Sequence, residues 1–186
     1  MWYQRAVRLA RFAFLLLPAC ANAPATLTPD ATVDASIGAP DAAPDVSAPP
    51  SVELATGSRM WQELPRDGSG RAEVVFGPQG GYHIFGRVRM RNLTPDVTLV
   101  FRVTSLDGTR VITDDRDRIR RVPGRGLIQS APGTWESTSG ELVILQIRGP
   151  MDVLGQRWRM ELQVIPADQG PTVTDSREFS IVDEEQ

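Results

Sequence analysis

Between Val97 and Thr104 the chain alternates without interruption, with Val97, Leu99, Phe101 and Val103 on one side and Thr98, Val100, Arg102 and Thr104 on the other. A two-residue period rich in β-branched side chains is the pattern of a half-buried strand and cannot present one apolar face on a helix. Leu106-Asp107-Gly108-Thr109 follows as a turn, and Arg110 to Thr113 reads as the returning strand of a hairpin.

The same period recurs on either side of this hairpin. Tyr82 to Leu93 sets Ile84, Val88 and Met90 against Arg87, Arg89 and Arg91, and Gly77-Pro78-Gln79-Gly80-Gly81 before it is a turn. Ala72 to Phe76 precedes that turn as a further strand. Leu142 to Ile147 is apolar except at Gln146, which suits a central strand buried on both faces. Trp158, Met160, Leu162 and Val164 alternate with Arg159, Glu161 and Gln163, and Arg177 to Val182 closes the set. About seven strands, short loops and no amphipathic helix predict an all-β antiparallel sandwich, immunoglobulin-like or a related Greek key, with a closed β-barrel as the alternative.

This pattern occupies residues 52–182, with 183–186 as a polar tail; the first fifty residues read differently. Ala21 to Pro50 is built from Ala, Pro, Asp, Thr and Ser, with Leu27, Val33, Ile37 and Val46 isolated and no aromatic residue. Such a stretch cannot bury enough apolar area to offset the entropy of ordering, so residues 20–51 are expected to form a disordered tether. Its aspartates Asp30, Asp34, Asp41 and Asp45 meet no basic partner in that stretch. As a coil the tether would span roughly 30 Å, and as polyproline II up to about 90 Å.

Residues 1–19 carry Arg5, Arg8 and Arg11, then an apolar run from Phe12 to Leu17, then small residues. That is the order of a secretory signal, and the run is too short to span a bilayer. Leu17-Pro18-Ala19-Cys20 resembles the lipobox of bacterial lipoproteins, with Pro18 departing from the small or β-branched residue usual there. The resemblance implies cleavage between Ala19 and Cys20 and acyl chains on Cys20, which would anchor the protein to a membrane. Ala21 stands where Asp would favour inner-membrane retention, so the resemblance implies the outer membrane, facing periplasm or exterior. The segment from Phe76 to Phe85 is similar to one in uncharacterised lipoproteins of GC-rich diderm bacteria such as myxobacteria, a resemblance that implies no activity.

All twenty basic residues are Arg, and loss of residues 1–19 would leave seventeen against twenty-three acidic ones. That balance disfavours a nucleic-acid role, which needs concentrated positive charge. Cys20 is the single cysteine, so no intramolecular disulfide is possible and the domain must hold by packing.

His83 is the only histidine. Under strict alternation it shares a face with Phe85 and Arg87, whereas a bulge at Gly86 would turn His83 and Phe85 inward. Without further His or Cys ligands it reads as structural, and no metal or cofactor is expected. Asp114-Asp115-Arg116-Asp117-Arg118 lacks the spacing and glycine of a calcium loop and reads as a solvated strand edge or loop. Arg87, Arg89 and Arg91 with Arg102 form a stripe suited either to an anionic lipid, glycan or peptidoglycan carboxylate, or to pairing with acidic residues of neighbouring strands. Trp135, after Pro132-Gly133-Thr134, is expected on an exposed loop in contact with a ligand, and Tyr82 and His83 complete the candidate binding residues. No nucleophile elbow, phosphate loop, zinc helix or Cys–His pair is present, so no catalytic residue is assigned.

The expectation is therefore a lipid-anchored envelope protein whose sandwich is a binding module rather than an enzyme, with an envelope protein or glycan as partner. Two alternatives follow. A structural accessory of an envelope complex would pair through an exposed strand edge, and a hydrolase would need two carboxylates facing across a cleft.

Overall fold

The computed structural model describes residues 48–183 except Gln79 and Asp115; the readings placed on Ala19, Cys20 and most of the tether fall outside these residues. Eleven strands follow in order: β1 Ser51–Thr56, β2 Gln62–Glu63, β3 Gly70–Phe76, β4 Tyr82–Arg91, β5 Val97–Ser105, β6 Arg118–Pro123, β7 Gly126–Ala131, β8 Thr134–Ser137, β9 Glu141–Leu145, β10 Arg157–Pro166 and β11 Val173–Asp183. A single 3-10 turn, Pro150–Asp152, is the only helical element among the described residues.

The strands form a sandwich-like all-β fold. One layer is centred on β4, whose C-terminal half pairs with β1 and β8 and whose N-terminal half pairs with β9 and β3. The other runs β3-β11-β10-β5-β6. Only two register pairs join β3 to β4, and two join β6 to β7, so the layers meet along short seams rather than closing into a regular barrel. The expected all-antiparallel pairing is corrected at two places, since β11 runs parallel to β3 and β6 parallel to β7.

Alternation places the core. Leu99, Phe101 and Val103 of β5, Trp158, Met160, Leu162 and Val164 of β10, and Phe179 and Ile181 of β11 face Leu54, Ile84, Val88 and Met90 of the first layer, all buried. Fully burying side chains of this size contributes roughly 1.5–3 kcal/mol each before entropy is counted. Gly86 faces inward on β4 because the ring of Phe101 fills the space where its Cβ would be.

Three further expectations are corrected. Arg110–Thr113 does return along β5, through Ser105 N–H to Arg110 O (2.8 Å) and Ile112 N–H to Val103 O (3.0 Å), but as isolated bridging and not as a full strand. The Asp114 carboxylate accepts from Arg116 N–H at 2.9 Å and caps a turn that interrupts the return, which resumes on the same edge of β5 as β6. The Leu142–Ile147 run is not a central strand: Leu142 and Ile144 are 54% and 53% exposed, and β9 is paired on one side, to β4. A run of apolar residues in a strand buried on one face still points alternate members at water.

Candidate functional site

On β4 the register is continuous through Gly86, from Tyr82↔Leu145 to Gly86↔Glu141 and on from Arg87↔Ala55 to Arg91↔Ser51. There is no bulge. Strict alternation therefore carries His83, Phe85, Arg87, Arg89 and Arg91 outward together, and the rings of His83 and Phe85 meet edge to face at 5.2 Å. His83 is buried against the Gly77–Gly81 turn, with Gly77 close to its Nδ1, and Tyr82 lies edge-on to Phe76.

The three arginines of this stripe have different environments. Arg87 is not on a wet face as expected: it is buried, donating to Ser137 O at 2.6 Å and to Arg59 O at 3.0 Å, so it holds the β1–β2 connection against β8. Burial pulls its guanidinium below the ordinary arginine pKa, an effect that the charge of Glu136 opposes. Arg89 lies directly between Glu53 of β1 and Glu136 of β8 in the strand register. It donates to Glu53 at 2.9 Å and to Glu136 at 2.7 Å, and its Cζ sits 4.3 Å from the centre of the Trp61 ring. Burial pulls its pKa down, but the hydrogen bonds and charges of Glu136 and Glu53 hold it above the ordinary value. Both carboxylates are thus committed to a cation.

Arg91 differs because its partners in register are Ser51 and Thr134, neither of them acidic. It is exposed and makes no ion pair among the described residues. Next to it the sandwich opens, since β2 pairs only Ala55 and Thr56 and leaves the outer edge of Ser51–Glu53 without a strand. Ser51, Val52, Glu53, Arg66, Arg89, Arg91 and Arg177 line an open cleft of about 280 Å³ at this edge. Of its four guanidinium groups, Arg89 is neutralised by Glu53 and Glu136 and Arg177 by Asp175, so Arg91 and the solvent-exposed Arg66 are the cations the cleft presents, and arginine forks match carboxylate and phosphate oxygens.

The back of the cleft is rigid. Asp175 and Arg177 of β11 have the inward parity of Phe179 and Ile181, and both are 6% exposed at the side chain. Asp175 accepts from Arg177 at 2.6 Å and from Leu54 N–H of β1 at 2.8 Å, so a carboxylate of one layer satisfies a backbone donor of the other. Arg66 reaches the same carboxylate at 3.7 Å with 78% of its side chain in solvent, leaving it free to turn toward a ligand.

Arg102 of the predicted stripe is elsewhere, lining a separate hollow with Val100, Arg118 and Gln163 on the second layer. Trp135 is not on a loop; it lies half-buried in β8, opposite Met90 and Gln129. The site therefore unites Arg89 and Arg91, and it excludes Arg87, Arg102, Tyr82, His83 and Trp135 from its lining. Glu53, Arg66 and Arg177 were not singled out from the sequence, because they come from segments far apart in the chain. The parity of Asp175 and Arg177 with Phe179 and Ile181 is the one local signal that two charges face inward. No group of three His, Cys, Asp or Glu side chains suited to a metal lies among the described residues.

No family model and no curated protein matches the chain. Among solved structures it is similar to the CooA pilin subunit from enterotoxigenic Escherichia coli, at 11% identity and a TM-score of 0.36, over 73% of this chain and 99% of that one. A likeness at that level transfers neither architecture nor activity.

Proposed function

We propose that this chain is a lipid-anchored protein of the cell envelope whose sandwich is a non-catalytic binding module, and that its arginine cleft takes carboxylates of an envelope glycan. The observation that carries the reading is Arg91: in the register of β4 it faces Ser51 and Thr134 where Arg89 faces two glutamates, and it opens into the same cleft as the solvent-exposed Arg66. The anchor rests on Leu17-Pro18-Ala19-Cys20, which puts the module at a membrane surface, in the outer membrane by the residue at position 21.

The test is co-sedimentation of the full-length chain with purified peptidoglycan sacculi, beside Arg66→Ser/Arg91→Ser. Loss of sedimentation in the double variant, with thermal stability unchanged, supports the cleft; equal sedimentation refutes it. Intact mass and membrane fractionation beside Cys20→Ser test the anchor. The expected wild-type product lacks residues 1–19, carries acyl chains and stays with membranes, and an unacylated soluble product refutes it.

A structural accessory role is the second reading, favoured by one observation. β9 has a single strand partner over Glu141–Leu145, with Gln146 N–H just beyond it paired to Ile112 O at 2.7 Å, and the part of its second edge that pairs with no strand can accept a further strand by main-chain pairing.

A further inference from the structure

The two outer faces of the sandwich differ in chemistry. On the second layer the register sets the rows Thr104–Arg159–Glu178 and Arg102–Glu161–Ser176 outward, each polar throughout. On the first, Val75 of β3, His83 of β4 and Ile144 of β9 lie in one row and Phe85 and Leu142 in the next, and neither row holds an acidic or arginine side chain. The β1–β2 connection borders these rows, since Ser58 O accepts from Gly140 N–H at 2.8 Å and Gly140 lies against Phe85. That connection presents Met60, with the exposed Arg59 before it and the half-buried Trp61 after it, and the buried Arg87 holds it in place through Arg59 O. An exposed cation beside apolar side chains and a tryptophan is the composition suited to a lipid–water interface.

Resting on the anchor reading, we propose that this face, from Ile144 and Leu142 to Met60 and Trp61, lies against the bilayer that holds Cys20. Area decides against a protein partner. Counting roughly 100 Å² for a fully exposed aliphatic side chain, Leu142, Ile144 and Met60 at 54%, 53% and 74% exposure present about 180 Å², whereas each side of a stable protein interface buries about 800 Å². So small a patch suffices for a surface to which the chain is already attached, because the anchor has met the entropy of association. Reach agrees. Cys20 lies 28 residues before Ala48, where Asn92 holds the incoming chain at the end of β4, and a flexible chain of that length spans roughly 30 Å. From Arg91, beside Asn92, to His83 is eight residues along β4, roughly 27 Å, so the span of the tether matches the distance from its point of entry to the face.

The experiment couples the full-length Trp2→Phe chain through its single cysteine, Cys20, to a maleimide lipid in phosphatidylethanolamine/phosphatidylglycerol vesicles with and without bromine in the acyl chains, so that attachment does not depend on acylation in a cell. The expected result is bromine-dependent quenching of tryptophan emission that is lost in Trp61→Phe. It is lost equally in Met60→Ser/Leu142→Ser/Ile144→Ser, whose three positions are exposed and whose Tm should stay near that of the parent. Equal emission in the two vesicles overturns the proposal, as does quenching that the triple variant keeps. If emission is equal while the cellular product is acylated and stays with membranes, docking fails and the anchor reading stands. If quenching follows the expected pattern while the cellular product is unacylated, the face binds lipid and the anchor reading alone fails. Equal emission together with self-association that the triple variant abolishes assigns the face to a second copy instead.

Discussion

Replacing Gly86 by alanine isolates the contact that lets β4 lie against β5. A Cβ at this position would stand 2.4 Å from Cε1 of Phe101 and 2.9 Å from Cδ1 and Cζ, inside any allowed carbon–carbon approach. The ring has no room to retreat, since Phe101 is 4% exposed. In open space the change would stabilise a strand by roughly 0.5–1 kcal/mol through lower backbone entropy of the unfolded chain. Overpacking in a dense core costs about 1–3 kcal/mol, so the sign itself discriminates, and the expected net effect is a loss of about 1–2 kcal/mol. For a domain of this size that lowers Tm by roughly 3–8 °C, and the urea midpoint falls with the slope m unchanged. The control is Phe101→Leu, which alone destabilises by about 1 kcal/mol but removes the obstructing atoms. In that background Gly86→Ala becomes neutral or stabilising, giving a coupling energy above about 1 kcal/mol. An equal cost of Gly86→Ala in both backgrounds, or no cost in either, refutes the packing argument.

Asp175→Ala leaves Arg177 buried without its carboxylate and Leu54 N–H without its acceptor, and urea unfolding should show a loss of about 3–5 kcal/mol, whereas Arg66→Ala changes stability by less than about 1 kcal/mol. Asp67, Asp96, Asp107 and Asp168 all have carboxyl groups held below the ordinary aspartate range, chiefly by hydrogen bonds from Ser69, Arg120, Ser105 and Thr94 respectively. Their folded pKa values are depressed, so their contribution is complete above the unfolded value of about 3.9 and is lost as pH falls through the lower folded values. Thermal melts should be flat from neutrality to about pH 5 and then decline, with Asp107→Asn shrinking the decline. Leu142→Lys/Ile144→Lys should leave Tm nearly unchanged, because both side chains are exposed, while lowering any concentration-dependent association measured by sedimentation velocity.

The strands were legible where one face meets the core and the other meets water. Val97–Thr104, Trp158–Val164 and Arg177–Val182 carry a two-residue period that needs no partner to be read, and each lies within a strand. The same logic failed at Leu142–Ile147, where apolar residues on both parities concealed an outer face, and at β7 and β8, whose short polar strands carry little period. Trp135 was misplaced because a Pro-Gly turn signals a loop without showing how soon pairing resumes after it.

Sequence alone determined the all-β class and the outward parity of Arg87, Arg89 and Arg91, since each follows from a period of two. Tertiary structure decided which of those arginines is left without an acidic partner. Arg87 is capped by the carbonyls of Arg59 and Ser137, Arg89 is neutralised between Glu53 and Glu136, and Arg91 is left facing Ser51 and Thr134 beside Arg66 and Arg177. Cross-strand register makes these assignments. Register joins residues tens of positions apart, through contacts to which no local pattern in the chain corresponds.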